Sequence, residues 1–277
     1  MTLAVTGTTG WVACKEQSRL VKVDLAHRTA TARAALDGPV TAVAVGLGSV
    51  WALDSATLYR LNPRTARITK RIRLGATAPY NIWIGAGAVW VADDQGASIL
   101  RVSASKNAVA ARIPVGDGPA DVVFDGARAW VLNHRENTLF RIDTASNTAT
   151  RLATVAGAGV AAERLTLLGG SLWVTGRGLG LLEVDPETGA TRRTIDIEGT
   201  GIDIVSAAGA LWIPVRTLPV DRTGFPTMTA VRRVGADGVL ATVATAHGRV
   251  DVHGLAAGPN AVWLSDNTDG FLYRLAT

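Results

Sequence analysis

Residues 118–155, GPADVVFDGARAWVLNHRENTLFRIDTASNTATRLATV, contain the pattern that decides the fold. Four short segments rich in apolar and β-branched residues (122–124, 129–132, 139–142 and 149–154) alternate with turns made of Gly, Asp, Asn and Ser. Such alternation is typical of β-strands joined by tight turns. The stretch therefore predicts one antiparallel four-stranded sheet, which cannot bury both of its faces without neighbouring sheets.

The tryptophan of this stretch, Trp130, recurs through the whole chain. The repeat tryptophans are spaced by 40, 39, 40, 43, 39 and 51 residues, at Trp11, Trp51, Trp90, Trp130, Trp173, Trp212 and Trp263. A period near forty with four strands per copy is typical of a β-propeller, and seven copies fit a closed ring. An open β-solenoid is the alternative, but its repeats are usually shorter. We therefore predict an all-β, seven-bladed β-propeller with four-stranded antiparallel blades.

The repeats predict a single propeller domain over residues 1–277. Its blades cover about 1–36, 39–74, 78–115, 118–155, 158–197, 200–245 and 250–277. Because the chain ends after the third strand of the last copy, that blade either has three strands or takes its outer strand from the N-terminus. Residues 1–6 align with a first strand, so we expect three strands. We also expect each repeat tryptophan on the second strand of its blade, mostly buried between blades.

Composition and charge exclude several classes of protein. The single cysteine, Cys14, excludes an internal disulfide framework. No apolar run is long enough to span a bilayer, and no signal-peptide pattern is present, so we predict no membrane partner. A cytoplasmic protein is expected if Met1 is the native start, and a secreted one if a leader was removed. We expect a monomer.

The net charge of +5 does not indicate nucleic-acid binding. The densest basic cluster, Arg67, Lys70, Arg71 and Arg73, lies on a predicted outermost strand, where charges prevent pairing between sheet edges. Aromatic residues do not alternate with these charges, as they would on a base-stacking surface. We predict no nucleic-acid partner.

Two sets of positions vary from copy to copy around one predicted rim of the propeller. Ten and nine residues before each tryptophan, the copies read Met1-Thr2, Thr41-Ala42, Tyr80-Asn81, Ala120-Asp121, Glu163-Arg164, Ile202-Asp203 and His253-Gly254. Three residues after it, they read Cys14, Asp54, Asp93, Asn133, Gly176, Val215 and Asp266. Repeats that agree in the core and differ at one rim indicate a binding site there. The alternative is that these side chains cap strand ends or bind channel water.

The rim residues predict a polar funnel with acid–base chemistry. His253 is the histidine of the inner ring, and imidazole is the side chain most easily poised as an acid or base near neutral pH. We predict His253, Asp266 and Asp203 as catalytic residues. The predicted ligand-binding residues are Tyr80, Asn81, Asp121, His134, Glu163, Arg164, Arg216 and Phe225. No compact metal-ligand spacing is present, so metal ligands cannot be assigned from the sequence.

An insertion of about ten residues in blade six adds to this prediction. Residues 214–229, PVRTLPVDRTGFPTMT, contain Arg216 and Phe225 and follow Trp212. Three prolines would stiffen such a loop, and its apolar side chains would give it an underside that could cover a small-molecule site. A surface loop that packs only on its own blade is the alternative.

The combination of Gly-Pro, a first strand, GAVW or GSLW, and a third strand ending in Arg-Ile-Asp resembles the YVTN/NHL-type repeat. More narrowly, the chain is similar to the bacterial virginiamycin B lyase family. That resemblance implies a histidine near the start of a first strand and a glutamate ending the next strand, which act with Mg²⁺ to open a cyclic depsipeptide antibiotic by elimination. The matching positions are His253 and Asp266. The family's Trp-Phe-Thr-Glu is Trp-Leu-Ser-Asp at 263–266, so the carboxylate is one methylene shorter.

We therefore expect a propeller that binds a small or medium organic ligand. The expected activity is that of a lyase or cyclase acting on a natural product or cyclic peptide, with His253 as general acid/base. It would be cofactor-free or assisted by a divalent metal such as Mg²⁺. A non-catalytic propeller that binds a protein or senses a ligand is the alternative, because the fold alone does not decide function.

Overall fold

The computed structural model describes residues 2–220, 226–235, 238, 240–247, 252–266 and 272–277, with backbone only at 217–220, 226–229, 244–247 and 253. These residues form seven antiparallel sheets, in which consecutive strands are neighbours. The chain is an all-β, seven-bladed β-propeller, as the tryptophan repeat predicts.

The chain divides into two compact units, Met1–Val131 with Arg141–Thr150, and Leu132–Phe140 with Arg151–Thr277. The prediction of one domain stays a prediction. The first three blades belong to the first unit. Blade one comprises β1 (Thr2–Thr6), β2 (Thr9–Cys14), β3 (Arg19–Asp24) and β4 (Thr29–Ala35), with a 3-10 turn at Lys15–Gln17. Blade two comprises β5 (Ala42–Gly46), β6 (Ser49–Leu53), β7 (Thr57–Leu61) and β8 (Ile68–Arg73). Blade three comprises β9 (Pro79–Gly85), β10 (Ala88–Asp93), β11 (Ser98–Ser103) and β12 (Ala108–Pro114).

The remaining four blades complete the order of strands. Blade four comprises β13 (Pro119–Asp125), β14 (Arg128–Asn133), β15 (Thr138–Asp143) and β16 (Thr148–Thr154). Blade five comprises β17 (Ala161–Leu168), β18 (Ser171–Arg177), β19 (Gly180–Val184) and β20 (Thr191–Ile195). Blade six comprises a first strand in two segments, β21 (Thr200–Gly201) and β22 (Val205–Ala207), then β23 (Ala210–Val220), β24 (Pro226–Gly235) and β25 (Leu240–His247). Blade seven comprises β26 (Val252–Gly258), β27 (Ala261–Asp266) and β28 (Leu272–Ala276).

Blade seven has the three strands expected of it, in the order β26-β27-β28. Residues 2–6 pair with β2 as the first strand of blade one. The expectation for the last blade is therefore confirmed.

The repeat tryptophans lie on the second strand of every blade, as predicted. Six of them are at most 3% exposed, and Trp263 is half-buried. A buried indole needs an acceptor for its N–H. In four blades that acceptor is the backbone carbonyl five residues earlier, at the end of the first strand, at 2.8–3.2 Å: Trp51 to Gly46, Trp90 to Gly85, Trp173 to Leu168 and Trp212 to Ala207. These four tryptophans thus combine a large apolar surface with a link between the first two strands of their blade.

The apolar core lies between neighbouring blades. In the first unit, Trp11 and Leu20 of blade one share a buried cluster with Tyr59 of blade two. In the second unit, Trp212 of blade six packs in a cluster with Leu255 of blade seven. Burial of such side chains contributes about 1.5–3 kcal/mol each, which explains why single sheets are held as blades of a larger fold.

A glycine is required where the side chain of one blade enters the next. A Cβ at Gly85 would lie 2.3 Å from Cγ of Phe124. Phe124 packs on Trp90 with ring centroids 5.5 Å apart. The Gly-Ala-Gly sequence before Trp90 and the Gly-Leu-Gly sequence before Trp51 are therefore explained by close packing between blades as well as by tight turns.

A cationic side chain on the third strand connects each of the first three blades to the next one. It stands opposite the repeat tryptophan, over the indole ring, and donates to the turn between strands three and four of the following blade. The cation-to-centroid distances are 5.8 Å for Lys22, 5.2 Å for Arg60 and 5.6 Å for Arg101. Their acceptors are the carbonyl of Arg64 at 3.3 Å, the carbonyl of Ala104 at 2.8 Å and the side chain of Asn147 at 3.1 Å, respectively.

Arg60→Ala is expected to destabilise the protein by about 1.5–3 kcal/mol, because charge-assisted hydrogen bonds of a part-buried group are lost. Its guanidinium also donates to Ser49 Oγ at 2.8 Å and to Asn107 Oδ1 at 3.0 Å. Urea unfolding should show this loss, and the exposed outer-strand control Arg73→Ala should stay within about 0.5 kcal/mol of the parent. Equal effects of the two changes would show that Arg60 does not connect the blades.

Candidate functional site

A β-bulge interrupts the first strand of blades five and seven at the same repeat position. In blade five, Ala162 pairs with Gly176 and Arg164 with Thr175, so Glu163 is the extra residue. In blade seven, Val252 pairs with Asp266 and Gly254 with Ser265, so His253 is the extra residue. Bulges redirect side chains and are over-represented next to active sites. Both extra residues were selected from the sequence as site residues.

Blades three and six are irregular at the same place. In blade three, Pro79 pairs with Asp93 and Ile82 with Val91, which leaves Tyr80 and Asn81 on the bulge. In blade six the first strand stops at Gly201 and resumes at Val205, on either side of Asp203. The described pairing of blades one and two runs on without a shift. In blades three, five, six and seven, the residues nine and ten positions before the tryptophan therefore lie where the backbone departs from regular pairing.

Two arginine–carboxylate pairs connect these positions in the second unit. Arg164 Nε lies 3.5 Å from Asp203 Oδ1, with both side chains about a quarter exposed (27% and 22%). Arg164 Nη1 donates to the carbonyl of Glu163 at 2.9 Å. Arg177 Nη2 lies 3.3 Å from Glu163 Oε1. The structure therefore brings Glu163, Arg164 and Asp203 together, as the sequence predicted, and adds Arg177, which the repeat offsets did not select.

Asp203 is the carboxylate of this cluster with the least water around it. Burial raises the pKa of its carboxyl above the usual range, although Arg164 and the backbone N–H groups of Ile204 and Leu255 act in the opposite direction. The N–H of Ile204 donates to Oδ1 at 2.9 Å. Leu255 belongs to β26, two residues after His253, so Asp203 bridges the first strands of blades six and seven. A perturbed carboxyl with a specific charge partner is typical of functional sites.

Asp203→Asn is expected to stabilise the fold at neutral pH by roughly 0.5–2 kcal/mol, the usual gain from a single stabilising substitution. The folded-state pKa of Asp203 lies above the unfolded value. The stability that the protonated carboxyl contributes is therefore complete at a pH below the unfolded pKa, and it is lost as the pH rises through the folded pKa. Asparagine stays neutral and keeps an oxygen for the two backbone donors. Urea unfolding should therefore show a gain at pH 7 that disappears at about pH 4. A loss of stability at pH 7 would show that the pair with Arg164 outweighs burial.

The first unit holds a second group of rim residues. Trp83 Nε1 donates to Asp121 Oδ1 at 3.0 Å, from blade three to blade four. Asn81 and Asp121 each accept the backbone N–H of the following residue at 2.9 Å. Asp203 makes the same local contact, so the residue nine positions before the tryptophan accepts the following N–H in three blades. Tyr80 is 49% exposed on the bulge.

The positions three residues after the tryptophans have a structural role where their contacts are described. Asp54 accepts the N–H of Ala56 at 2.9 Å and of Thr57 at 2.7 Å, and the hydroxyl of Tyr59 at 2.6 Å. Asp93 accepts backbone N–H groups of two neighbouring turns and the guanidinium of Arg112. In these two blades the alternative stated above, strand-end caps, is the correct interpretation.

The other predicted residues have the following places. Asp266 is fully buried at the end of β27, opposite Val252. His134 is half-buried in the turn after β14; in the same turn, Asn137 Oδ1 accepts the N–H of Ala162 at 2.8 Å, next to Glu163. Arg216 is half-buried opposite Thr200. The side chain of His253 and all of Phe225 lie outside the described residues, and the pairing of His253 with Asp266 stays a prediction.

The insertion of blade six is not the loop that its prolines suggested. It extends both strands into a long hairpin, with β23 of 11 residues and β24 of 10 residues. Pairing continues to Thr217–Met228 and, after a register shift, to Val220–Pro226. The hairpin tip, residues 221–225, lies outside the described part, so a covering role stays a prediction.

The carboxylates of the second unit do not fit a Mg²⁺ site in the described part of the chain. Glu163 and Asp203 each face a guanidinium, and no three His, Cys, Asp or Glu side chains come together there as metal ligands. Magnesium prefers several oxygen ligands in octahedral geometry. Among the described residues, no helix has the length and apolarity to cross a membrane.

A surface groove of about 530 Å³ lies on the outer strands of blade four. Its lining contains none of the predicted site residues and consists of Arg128, Arg141, Ile142, Asp143, Ser146, Thr148 and Thr150. Arg128 lies over Trp130 at 5.1 Å and pairs with Asp125 at 3.0 Å. Arg128 thus belongs to the scaffold around the repeat tryptophan.

Solved structures with the same fold span different functions. The chain is similar to virginiamycin B lyase from Staphylococcus aureus (TM-score 0.79, 17% identity, 99% of this chain and 94% of that one). It is also similar to Kuenenia stuttgartiensis hydrazine synthase (TM-score 0.77, 13% identity, 99% and 95%). A chain of the mitotic checkpoint complex matches with a TM-score of 0.80 at 12% identity, and the match covers 100% of this chain and 87% of that one.

Sequence comparison adds no family assignment: no protein-family profile matches the chain, and no curated protein sequence matches it. The structural similarities confirm the seven-bladed fold and its resemblance to the virginiamycin B lyase propeller. At identities of 12–17% they show the fold alone.

Proposed function

We propose that the chain binds a small or medium organic ligand at the first-strand bulges of blades five to seven and acts on it as a lyase, with His253 as general acid/base. The observation that carries this proposal is the shared bulge. It gives Glu163 and His253 equivalent backbone positions two blades apart, with Asp203 on the interrupted strand between them.

The contacts around the bulges supply the remaining parts of such a site. The guanidinium of Arg164 is held by Asp203 and by the carbonyl of Glu163, so its orientation is fixed before a ligand arrives. A preorganised guanidinium can donate to a carbonyl or carboxylate oxygen on which negative charge develops. Because burial raises the pKa of Asp203, the site also holds a carboxyl that gains a proton more readily than an exposed one.

These groups fit an elimination. An imidazole at His253 would remove the proton from a carbon next to a carbonyl. A double bond would form to the neighbouring carbon, whose bond to an ester oxygen would break with the electron pair leaving on the carboxylate. No water is consumed. The virginiamycin B lyase from Staphylococcus aureus, which has the same fold, is also known as a catalytically inactive histidine-to-alanine variant with quinupristin. This supports the choice of a histidine and of a cyclic depsipeptide as the first substrate to test.

The test is incubation with quinupristin followed by mass spectrometry. Elimination yields a ring-opened product with the mass of the substrate, whereas hydrolysis adds the mass of one water. A product of unchanged mass and shifted retention supports the proposal. If cyclic depsipeptides are neither bound nor converted, the ligand and reaction proposed here are wrong, and the non-catalytic alternative takes their place.

Arg164→Ala is expected to weaken ligand binding roughly 10- to 100-fold, because a charge-assisted hydrogen bond contributes about 1.5–3 kcal/mol. Calorimetric titration with the depsipeptide measures this change. Arg73→Ala, an exposed arginine on the outer strand of blade two, is the matched control and should bind as the parent does. Equal affinities of the three proteins would place the ligand elsewhere.

A further inference from the structure

The ion pair between Arg177 and Glu163 is long and open to solvent. One nitrogen, Nη2, lies 3.3 Å from one carboxylate oxygen, Oε1, and the side chain of Arg177 is 77% exposed. A well-made charge-assisted bond is about 2.7–2.9 Å long. Arg193 of the same blade is held more closely, since it lies 2.5 Å from Glu183 and over the ring of Trp173 at 5.3 Å. Arg177 therefore presents its guanidinium to solvent, whereas Arg193 belongs to the scaffold.

The turn that carries Arg177 is packed tightly against the first strand of blade five. A Cβ at Gly176 would lie 2.0 Å from the carbonyl oxygen of Ala161, which pairs with Arg177. Gly178 has a φ of +75°, which favours glycine, and a Cβ there would lie 3.1 Å from Val160 Cγ1. The two glycines thus fix the backbone of Arg177 next to the bulge and leave its side chain exposed.

The backbone that leads to Glu163 is also fixed, by the buried side chain of Asn137. Its Nδ2 donates to the carbonyl oxygens of Gly157 at 3.3 Å and Val160 at 3.0 Å. Its Oδ1 accepts the N–H of Ala162, the residue before Glu163, at 2.8 Å. Both members of the ion pair therefore stand on anchored backbones and meet through side chains in solvent. Anchored backbones reduce the loss of freedom when a ligand binds.

The contact between Arg177 and Glu163 can be exchanged at little cost. An exposed ion pair of this kind contributes little to stability. A guanidinium matches a carboxylate best through two parallel N–H···O bonds. A ligand carboxylate that makes both bonds would therefore replace the single contact with Glu163. The elimination proposed above creates such a group, because its electron pair leaves on the carboxylate of the opened ester.

We propose that Arg177 binds the carboxylate that the elimination releases, in exchange for Glu163. The inference rests on the proposed function and names the ligand group bound beside the blade-five bulge, which is a carboxylate next to an acylated nitrogen, as at the end of an opened depsipeptide. Arg164 has a complementary role. Its guanidinium is held by Asp203 and by the carbonyl of Glu163, so it stays in place while Arg177 changes partner.

The test is a titration with N-acetylglycine, followed by NMR of isotope-labelled arginine side chains. The Nε–H resonance of Arg177 is assigned by its loss in Arg177→Gln, and N-acetylglycine amide is the neutral analogue. We expect a saturable shift of the Arg177 resonance with the acid and none with the amide. Arg151, an exposed arginine on β16 that is assigned in the same way through Arg151→Gln, is the control and should not shift.

Glu163→Gln should strengthen the binding of N-acetylglycine at Arg177, because the variant lacks the competing carboxylate. The expected gain is roughly two- to fivefold, in line with the strength of an exposed ion pair. Glu187→Gln makes the same change of charge at an exposed position of blade five and should leave the affinity unchanged. Equal affinities in the parent and Glu163→Gln would show that Glu163 and the ligand do not compete for Arg177.

Other outcomes overturn the inference. An Arg177 resonance that does not move with N-acetylglycine excludes the subsite, and an equal shift with sulfate assigns it to anions in general. Failure of the subsite and failure of the proposed function differ. If quinupristin is opened and N-acetylglycine inhibits the parent and Arg177→Gln equally, only the subsite is wrong. If the acid binds at Arg177 and no depsipeptide is bound or converted, the proposed function is wrong and the carboxylate subsite serves another ligand.

Discussion

Asp93→Ala is expected to lower the free energy of unfolding by about 3–5 kcal/mol, because two backbone N–H groups and the guanidinium of Arg112 lose their acceptor, at about 1–3 kcal/mol for each donor left unsatisfied. Asp93 is fully buried at the end of β10. Its Oδ1 accepts the N–H of Thr77 at 3.0 Å and of Ala78 at 2.8 Å, and Arg112 Nη1 lies 2.7 Å from its Oδ2. Alanine would leave these donors without their acceptor at the point where blade two passes into blade three. Urea unfolding followed by tryptophan emission measures the loss.

Two controls separate the buried carboxylate from a surface charge. Asp93→Asn keeps one oxygen and should cost less than the alanine variant. Asp37→Ala removes the partner of Arg71, a pair in which both side chains are more than half exposed, and should cost at most about 1 kcal/mol. If all three variants unfold at the same urea concentration, Asp93 does not anchor the turn.

The pH dependence of the Asp93 effect has a definite sign. Burial acts to raise the pKa of its carboxyl, but the N–H groups of Ala78 and Thr77 and the guanidinium of Arg112 outweigh it, so the pKa lies below the usual value. The ionised group therefore contributes stability that is complete above the unfolded pKa of about 3.9 and is lost as pH falls through the lower folded pKa. The difference between parent and Asp93→Ala should shrink below about pH 4.

The fold was predictable because the same residue type recurs in every blade, and in blades two, three, five and six it is seen to satisfy two demands. A repeat tryptophan buries a large apolar surface and donates its N–H to the end of the first strand, as Trp90 does to Gly85. Few other side chains meet both demands, so the period of the sequence is the period of the structure. The three-stranded last blade was predictable because aligning the copies on their tryptophans assigns residues 1–6 to the first strand of blade one.

The bulges were not predictable, because strand register depends on which partner each backbone group finds. The sequence identified Glu163 through its variation between copies, and His253 through that variation, its imidazole chemistry and the family resemblance. It also selected Asp54 and Asp93, which are turn anchors. Asp266, predicted as a catalytic residue, is the same residue type at the same offset from its tryptophan as these two turn anchors. Only the hydrogen-bond donors around each oxygen distinguish them.

The insertion of blade six shows a further limit. Pro214 and Pro219 suggested a loop, since proline usually interrupts a ladder. Pro214 lies within β23 instead, where its carbonyl accepts the N–H of Ile202 at 2.9 Å on the interrupted first strand. Proline lacks a donor but keeps its acceptor, and the gap in that first strand reduces the need for a donor. The break beside Asp203 and the proline opposite it are therefore compatible features of one blade.

His253→Ala is expected to lower turnover by roughly 10²–10⁴-fold, the range for loss of a general acid or base, while the melting temperature stays nearly unchanged. The reason is its place on the blade-seven bulge, equivalent to that of Glu163 and two residues before Leu255, whose N–H is bonded to Asp203. Rates of quinupristin ring opening in the parent and the variant measure the effect. His27→Ala is the control: His27 lies in a turn of blade one, its side chain is 80% exposed and it pairs with Asp24 at 2.9 Å, so turnover should not change.

The pH–rate profile and the stability of the variant decide between chemistry and structure. If His253 is the acid/base, the parent's kcat/KM should show a limb near the imidazole pKa of about 6.5, and His253→Ala should lack it. A histidine that only supports the bulge gives the opposite pattern, in which the variant melts earlier, binds the ligand as before and keeps the limb. Because Glu163 occupies the equivalent bulge of blade five, Glu163→Gln is the informative second variant. A limb that disappears with Glu163→Gln and persists with His253→Ala would assign the base to blade five and contradict the role proposed for His253.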